Sequence, residues 1–287
     1  MNIKSVLQTL IPPLSINYNT AETNEAAYKE EFASDYLGNF LPRCLEVLDG
    51  QFLLGPVPRI LDIGCGLGPM AFAYAALREA VRPLQSNVSN ELGYVGIDIR
   101  TDAIAWLRQA YHQRPECLFH LHEAAKSADY VGNFGADRKN TATTWAQSDG
   151  TECDFRLPVS FTADLQWSSS FFTHLTPQAV EHALAFVASS LSPHGRAVNT
   201  WLIVDAHSCL ALASGAADRQ LPVDAGQYLT YSRENPLVCT AYKLPFIMEA
   251  HARAGLQIVS IERGHWRGGQ TRNLFGHYQD VIVSRKI

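Results

Sequence analysis

Short apolar runs alternate with stretches of helical periodicity from residue 58 to the end of the chain. The apolar runs that predict strands are 59–63, 94–99, 118–121, 163–167, 197–205, 256–261 and 280–284. The stretches that predict helices are 70–81, 101–111, 176–191 and 245–254. Thr101 is expected to be the N-cap of the second helix. Strands that alternate with helices are typical of βαβ units, so the pattern predicts an α/β domain with a largely parallel sheet.

The beginning of the chain has a different pattern. After an irregular start, apolar residues recur at near-helical spacing over 25–48, and Gly38 and Pro42 interrupt this run. We therefore expect residues 1–57 to form a helical extension beside a main domain of residues 58–287.

Three stretches of the main domain show no clear period. Residues 124–158 are polar, and a loop of this length inside a compact domain is usually functional or mobile. Residues 192–195, Ser-Pro-His-Gly, predict a turn. Residues 206–244 are expected to be irregular.

A glycine-rich loop follows the first predicted strand. Residues 61–68 read LDIGCGLG, and glycines between a strand and a helix let the backbone turn tightly and approach a ligand. A dinucleotide fingerprint, G-x-G-x-x-G, would place its third glycine where the chain has Pro69. Asp62 brings a carboxylate near the loop, which is unfavourable beside a pyrophosphate and favourable beside a cation. The loop therefore indicates S-adenosylmethionine, which carries an ammonium and a sulfonium, over a nicotinamide dinucleotide.

Asp98 ends the second predicted strand, at the carboxyl edge of the sheet. A carboxylate there can accept hydrogen bonds from both hydroxyls of an adenosine ribose. The interval from Gly64 to Asp98 is longer than the roughly 20 residues expected of a compact dinucleotide unit. A surface insertion over 82–92 accounts for the difference. The alternative is that Asp98 is a helix N-cap or a surface residue. Together with the glycine loop, Asp98 predicts a positively charged nucleoside cofactor.

These segments resemble class I S-adenosylmethionine-dependent methyltransferases. The resemblance rests on LDIGCGLG at 61–68, YVGIDI at 94–99, ADLQWSSSFFTHLTP at 163–177, LSPHGR at 191–196, AGLQIVSIERGHWRGG at 254–269 and YQDVIVSRK at 278–286. In detail the segments resemble a bacterial subgroup with an FTHL-type segment after the fourth strand and a C-terminal GxW…QD pattern. The resemblance covers about residues 58–287 and fixes no substrate.

The resemblance implies a Rossmann-like, seven-stranded, mostly parallel sheet with helices on both faces. Its last strand would be antiparallel and inserted beside its neighbour. The residues that it assigns to the cofactor are Asp62, Gly64 and Gly66 for the methionine end, Asp98 for the ribose, Ile99 for the adenine ring, and either His122 or Glu123 for the adenine amine. Cys65, in the same loop, is also expected to contact the cofactor. The family's Pro-Gly-Gly turn reads Pro193-His194-Gly195 here.

The acceptor is expected beyond the carboxyl end of the fourth strand, at the switch point of the sheet. That end reads SSSFFTHL at 168–175, and Thr173 within it is a candidate substrate contact. His174 is the candidate general base, since imidazole titrates near neutrality. The alternative is that His174 fixes the local backbone through a hydrogen bond. Ser168 and Ser169 either contact the methionine moiety or end the strand.

Further candidates lie on either side of this segment. The residues expected to face the acceptor are Tyr242, His265, Trp266 and Arg267, whose rings would stack on a sugar and whose guanidinium would pair with an acidic group. The alternative for the aromatic residues is packing in the core. The N-terminal tyrosines expected to form a lid over the cofactor are Tyr18, Tyr28 and Tyr36.

Composition narrows the choice of partners. The chain has 23 Lys and Arg against 28 Asp and Glu, and the basic residues are scattered, so no nucleic-acid partner is expected. No apolar run approaches the ~20 residues of a membrane span, and the N-terminus is a poor signal peptide, so we expect a cytoplasmic protein. The six cysteines form no C-x-x-C pair, which favours free thiols. No metal site is expected, because the histidines lack metal-ligand spacing.

Four functions remain open from the sequence. The first is an O-methyltransferase that acts on a sugar or a small-molecule metabolite. The second is an N-methyltransferase that acts on a small amine. The third is a nicotinamide-dependent oxidoreductase, and the fourth is a cofactor-binding subunit that activates a partner chain without catalysis.

Overall fold

The structure is a computed structural model. It describes residues 7, 9–16, 24–48, 57–84, 91–122, 130–131, 141–142, 155–233, 236–269, 273 and 275–287. The strands are β1 Ile60–Ile63, β2 Tyr94–Asp98, β3 Cys117–Leu121, β4 Tyr130–Val131, β5 Thr141–Ala142, β6 Ala163–Ser168, β7 Leu191–Trp201, β8 Ile203–Val204, β9 Val223–Asp224, β10 Tyr228–Thr230, β11 Thr240–Lys243, β12 Leu256–Glu262 and β13 Asp280–Lys286. The helices are α1 Glu25–Asp35, α2 Leu41–Glu46, α3 Pro69–Val81, α4 Thr101–Ala110, α5 Pro177–Ser190, α6 Ala206–Ser214 and α7 Leu244–Arg253.

The main sheet has seven strands in the order β12-β13-β7-β6-β1-β2-β3. Strand β13 is antiparallel to both of its neighbours, and the other neighbouring strands are parallel. This is the predicted Rossmann-like α/β sheet, with its last strand antiparallel and inserted beside β12. The chain runs outward from β1 to β3 and then returns to β6 on the other side of β1. The carboxyl ends of β1 and β6 are therefore the switch point at which such sheets bind ligands.

Helices cover both faces of the sheet, as predicted. Leu61 and Ile63 of β1 belong to a core cluster that includes α5 and α7. Ile60 of the same strand belongs to a second cluster, which includes α2, α3 and α4. Alternate residues of a strand point to opposite faces, so the two clusters are the two sides of the sheet.

Local sequence explains where two of the helices begin. Pro69, which breaks the dinucleotide spacing, lies in the first turn of α3, where the missing N–H of proline costs nothing. The Thr176 side chain caps α5 by accepting a hydrogen bond from the Ala179 N–H at 3.2 Å. The expectation for α4 was wrong, because its N-cap is Arg100 and Thr101 lies inside the helix.

The N-terminal extension is helical over 25–46. Pro42 lies in the first turn of α2 and does not end the helix. Phe40, in the π-helical turn between α1 and α2, packs against Trp167 of β6 with ring centroids 5.6 Å apart. Tyr28 is buried against Phe32. Tyr18 and the Tyr36 side chain lie outside the described residues, so the lid stays a prediction.

A second, smaller sheet replaces the irregular stretch expected at 206–244. Its strand order is β8-β11-β10-β9, and α6 lies between β8 and β9 in the chain. The expectation was wrong because strands of two to four residues are too short to show a period. A local signal for α6 was present, since Asp205 and Ser208 form a capping box at its start.

Two other expectations needed correction. Strand β7 begins at Leu191, and the predicted turn at 192–195 is an irregularity inside it: the residue of β7 that faces β6 shifts from Leu191 to Arg196. The strand predicted at 197–205 is divided between β7 and β8 at Leu202. Most of 124–158 lies outside the described residues, and the part that is described includes the antiparallel pair β4 and β5.

In the part of the chain that the structure describes, no helix has both the length and the apolar character that a membrane span requires. The cysteines in that part of the chain, which exclude Cys153, are free thiols.

Candidate active site

The loop between β1 and α3 has the backbone geometry that its glycines permit. Gly64, Gly66 and Gly68 have φ angles of 76°, 52° and 77°, in the left-handed region that disfavours other residues. A Cβ at Gly64 would lie 3.5 Å from the Phe171 side chain, which follows β6. A Cβ at Gly66 would meet no described atom within 4 Å, so the backbone there is open to close approach.

Four backbone N–H groups of this loop donate hydrogen bonds inside the protein. The N–H groups of Gly64 and Cys65 donate to the Ile97 carbonyl at 2.8 and 3.0 Å, and that of Gly68 donates to the Cys65 carbonyl at 2.8 Å. The Gly66 N–H donates to Asp98 Oδ2 at 2.7 Å. A loop that cradles phosphates instead points its N–H groups at the ligand.

Asp98 lies against the glycine loop at the end of β2, where it was predicted. Its side chain is buried, and its Oδ1 accepts a second hydrogen bond, from the Arg100 N–H at 2.8 Å. Burial raises the pKa of Asp98, while the N–H donors of Arg100 and Gly66 oppose this shift. Each carboxylate oxygen has more than one acceptor site, so Asp98 can still accept hydrogen bonds from a ligand.

Asp62 is a second buried carboxyl group beside the loop. Its Oδ2 accepts a hydrogen bond from the Tyr94 hydroxyl at 2.6 Å. Burial raises the pKa of Asp62 to about 7; the Tyr94 hydrogen bond opposes the shift, and the negative charge of Asp98 adds to it. Asp62 and Asp98 therefore lie close enough to repel each other, and a bound cation would relieve that repulsion.

Cys65 contributes its backbone to the loop, and its side chain packs in the core. The thiol is buried, and a Cβ at Gly96 of β2 would come within 3.0 Å of it. Burial raises the pKa of the Cys65 thiol, and the two nearby carboxylates raise it further. The thiol is therefore a neutral packing group.

An aromatic cluster lies at the expected adenine end. The His122 ring stacks on Phe155 with centroids 5.1 Å apart and planes 7° apart, and Phe155 in turn contacts Phe171. The backbone N–H of His122 donates to the Asp98 carbonyl at 2.9 Å. Ile99 is half-buried against the core, and Glu123 lies outside the described residues. The sequence did not single out Phe155, because the stretch around it has no readable period.

The end of β6 is held by hydrogen bonds to β7. Ser168 is fully buried and donates to Asn199 Oδ1 at 2.6 Å, which matches the alternative that it ends the strand. The Ser170 N–H donates to Thr200 Oγ1 at 2.7 Å. Ser170 has a φ of 56° although it is not glycine, and such strain is often found at functional sites.

Thr173 and His174 follow in a short 3₁₀ turn. Thr173 is buried and donates to the Ser170 carbonyl at 3.1 Å, so its hydroxyl serves the local backbone. His174 Nδ1 lies 3.0 Å from the Leu237 carbonyl, so Nδ1 carries the ring proton and Nε2 carries the lone pair. Burial lowers the pKa of His174, so the ring is neutral at pH 7. This hydrogen bond matches the alternative that the sequence left open, in which His174 fixes the local backbone.

Three of the residues expected to face the acceptor are core residues instead. Tyr242 is buried, and its hydroxyl donates to the Leu175 carbonyl. Trp266 is buried, and its Nε1 donates to Asp280 Oδ2 at 2.8 Å. Arg267 is buried and forms an ion pair with Asp280. The aromatic residues thus follow the packing alternative, and the acidic partner of Arg267 belongs to this chain.

Asp280 connects the segment after β12, which contains Gly264 and Trp266, to the start of β13. Its carboxylate accepts hydrogen bonds from the Ile203 and Gly264 N–H groups, both at 2.8 Å, as well as from Trp266 and Arg267. A Cβ at Gly264 would come within 2.4 Å of the Gln279 backbone, so that position requires glycine. His265, in the same segment, is half-buried with its ring edge-on to Tyr278.

His277 lies near the carboxyl end of β6, and the sequence did not single it out. Its Nε2 lies 3.1 Å from Ser169 Oγ, and its Nδ1 accepts the Gln279 N–H at 3.0 Å. Gln279 Oε1 in turn accepts a hydrogen bond from the Thr200 hydroxyl at 2.6 Å. No sequence signal indicated the pair, because a polar contact over 108 residues leaves no local pattern.

No family model matches the chain. Among solved structures, it is similar to a S-adenosylmethionine-dependent methyltransferase from Clostridium acetobutylicum, with 10% identity over 89% of this chain and 91% of that one, at a TM-score of 0.46. It is similar to DesVI from Streptomyces venezuelae, with 15% identity over 93% and 100% of the two chains and a TM-score of 0.49. A magnesium protoporphyrin IX methyltransferase from Synechocystis aligns with 12% identity over 94% and 91% and a TM-score of 0.46.

Proposed function

We propose that this chain is a S-adenosylmethionine-dependent methyltransferase that methylates a hydroxyl group of a sugar or a small-molecule metabolite. The observation that carries the proposal is the glycine loop, in which the N–H groups of Gly64, Cys65, Gly66 and Gly68 donate inside the protein while two buried carboxyl groups, Asp62 and Asp98, lie beside it. Such a site is negative, and most of its loop N–H groups already have acceptors. It suits a nucleoside that carries positive charge.

The residues of the loop fit this cofactor. Asp98 retains acceptor sites for ribose hydroxyls, and the open backbone at Gly66 allows close approach. Asp62 can become a negative partner for an ammonium group. When bound, S-adenosylmethionine supplies a methyl group on a sulfonium, which is a good leaving group.

The same geometry disfavours a nicotinamide dinucleotide. A pyrophosphate is held by N–H donors of the glycine loop and of the helix start. Here the N–H groups of Gly64, Gly66 and Gly68 already have partners, and Pro69, the first residue of α3, has no N–H. A pyrophosphate would also lie beside two carboxyl groups. Both effects weaken binding of a diphosphate.

On the acceptor side, the protein has two tasks. Holding the acceptor in line with the methyl group can provide effective molarities of about 10⁵ M or more. A hydroxyl acceptor must also lose a proton, and His174 is the proposed base, because its neutral ring carries the lone pair on Nε2. Residues 1–57 are proposed to exclude water as a lid.

Calorimetry with the intact protein tests the cofactor assignment. We expect S-adenosylhomocysteine to bind and NADH to give no heat of binding. Binding of NADH without S-adenosylhomocysteine would reverse the assignment.

Asp98→Ala is expected to weaken S-adenosylhomocysteine binding by about 10- to 100-fold, because a hydrogen bond to a charged group contributes about 1.5–3 kcal/mol. Asp102→Ala is the matched control, since Asp102 is an exposed carboxylate four residues away that pairs with Arg100. Calorimetry measures both, and thermal melts show whether each variant is folded. Equal affinity of a folded Asp98→Ala protein would contradict the role of Asp98.

Cofactor affinity is also expected to depend on pH through Asp62. Its pKa is about 7 in the free protein, and a cationic ligand favours the ionised form, so binding should release a proton. Affinity for S-adenosylmethionine should therefore rise roughly tenfold from pH 6 to pH 8, in proportion to the ionised fraction. Isothermal titration in two buffers of different ionisation enthalpy measures the affinity and the released proton. In Asp62→Asn both effects should disappear, and their persistence would rule out Asp62 as their source.

A further inference from the structure

Ser169 and His277 meet at the carboxyl end of β6, next to the strained Ser170. Ser169 is half-buried, and it directly follows Ser168, the last residue of the strand. The Ser169–His277 pair is therefore at the edge where the proposed acceptor has to lie.

The hydrogen bonds of His277 determine which ring nitrogen carries the proton. Nδ1 accepts the Gln279 N–H at 3.0 Å, so it must carry a lone pair. Burial lowers the pKa of His277 to about 4, so the ring is neutral at pH 7. The remaining proton is then on Nε2, which donates to Ser169 Oγ at 3.1 Å.

Hydrogen bonds to Asn273 and packing against Phe40 fix the position of His277. Asn273 Oδ1 accepts the His277 N–H at 2.9 Å, and Asn273 Nδ2 donates to the carbonyls of His277 and Gln279 at 3.1 and 2.9 Å. The His277 ring also packs against Phe40, with centroids 5.4 Å apart. The donor that points at Ser169 is thus fixed in direction.

We propose that Ser169 hydrogen-bonds the acceptor heteroatom and that His277 is the positioning residue that fixes its hydroxyl. This rests on the proposed methyltransferase function. A serine hydroxyl has one donor and two acceptor sites, and His277 uses one acceptor site. The Ser169 hydroxyl retains a donor and an acceptor site, which can orient either a hydroxyl or an amine.

The pair holds the acceptor and transfers no proton. His277 cannot take a proton from Ser169, because Nε2 is already protonated and Nδ1 faces an N–H group. His174 has the opposite arrangement, with Nδ1 donating to a carbonyl and Nε2 basic. The two histidines therefore divide the work: His277 fixes position, and His174 is the base.

Three variants test the proposal. Ser169→Ala removes the hydroxyl. His277→Asn keeps an acceptor near the Nδ1 position for the Gln279 N–H and loses the donor to Ser169, whereas His277→Gln can keep that donor. The acceptor substrate is identified first, by screening sugars and hydroxylated or amino metabolites for methyl transfer from labelled S-adenosylmethionine. We expect Ser169→Ala and His277→Asn to lower kcat/KM for it about tenfold, the usual effect of one hydrogen bond, and His277→Gln to retain most of it.

Other readouts separate this role from a structural one. The affinity for S-adenosylhomocysteine and the shape of the pH profile should be unchanged in all three variants. Nitrogen-15 NMR of the wild-type protein should show His277 protonated on Nε2 and not titrating between pH 5.5 and 8, roughly, because its pKa is about 4.

Protonation on Nδ1, or kcat/KM within twofold of wild type in Ser169→Ala, would overturn the proposal. A parallel loss of S-adenosylhomocysteine affinity and thermal stability in Ser169→Ala would also overturn it, since the pair would then be structural. Failure of the wild-type protein to bind S-adenosylhomocysteine would instead refute the proposed function, and the NMR result would still report on the pair.

Discussion

His174→Ala is expected to lower kcat on a hydroxylated acceptor by about 10²–10⁴-fold, the usual contribution of a positioned general base. The reason is the protonation state of the ring. Nδ1 donates its proton to the Leu237 carbonyl, with 3.0 Å between nitrogen and oxygen, so the lone pair is on Nε2. Initial rates of methyl transfer from labelled S-adenosylmethionine, at saturating cofactor, measure the effect.

The pH dependence of kcat is a second measurement of the role of His174. Burial lowers the pKa of His174 below its ordinary value, so the base stays neutral and active at mildly acidic pH. As the pH falls through this lowered pKa, the ring becomes protonated and kcat should fall. His174→Ala should lack this acid limb. Saturating cofactor is needed so that the titration of Asp62 does not enter the profile.

His194→Ala is the matched control. His194 is exposed in the irregular part of β7, near the amino-terminal end of that strand and away from the carboxyl end of β6. It should retain wild-type turnover. If His174→Ala also retained near-normal turnover, the acceptor would not need a base. An amine needs less help to lose its proton than a hydroxyl, so that result would favour N-methylation.

The sheet could be predicted because its strands are apolar and long enough to recognise. In β1, Ile60 faces one core cluster while Leu61 and Ile63 face the other, so the strand is apolar on both faces except at Asp62. The position of β13 between β7 and β12 has no such local signal and followed from the resemblance alone. The small sheet of β8 to β11 was missed, because its strands are too short to show a period.

The conformation of the glycine loop was more predictable than the contacts at the end of β6. A glycine loop is local in the chain, and its positive φ angles require glycine wherever the loop occurs. The contacts at and after the carboxyl end of β6 join distant residues, as between Ser169 and His277 or between His174 and Leu237. A single sequence carries no record of such pairs. The same reason explains the errors at Trp266 and Arg267, which follow β12 and share a partner, Asp280, on β13.

Asp280→Ala is expected to lower the free energy of unfolding by about 3–5 kcal/mol, the usual cost of removing one partner of a buried ion pair. The side chains of Arg267 and Asp280 are 3% and 0% exposed, so the variant would leave a guanidinium buried without its carboxylate. The Ile203 and Gly264 N–H groups and the Trp266 Nε1 would lose their acceptor as well. Urea denaturation, followed by tryptophan fluorescence, measures the change.

Asp224→Ala is the matched control for this prediction. It removes an exposed carboxylate that pairs with Lys243 at 2.9 Å, and exposed pairs contribute little to stability because solvent screens them. A double variant, Asp280→Asn with Arg267→Met, removes both buried charges and should recover part of the stability lost in Asp280→Ala, because no charge is then left buried alone. If Asp280→Ala cost no more than Asp224→Ala, the Asp280 carboxylate would not organise the segment after β12, and the GxW…QD pattern would need another explanation.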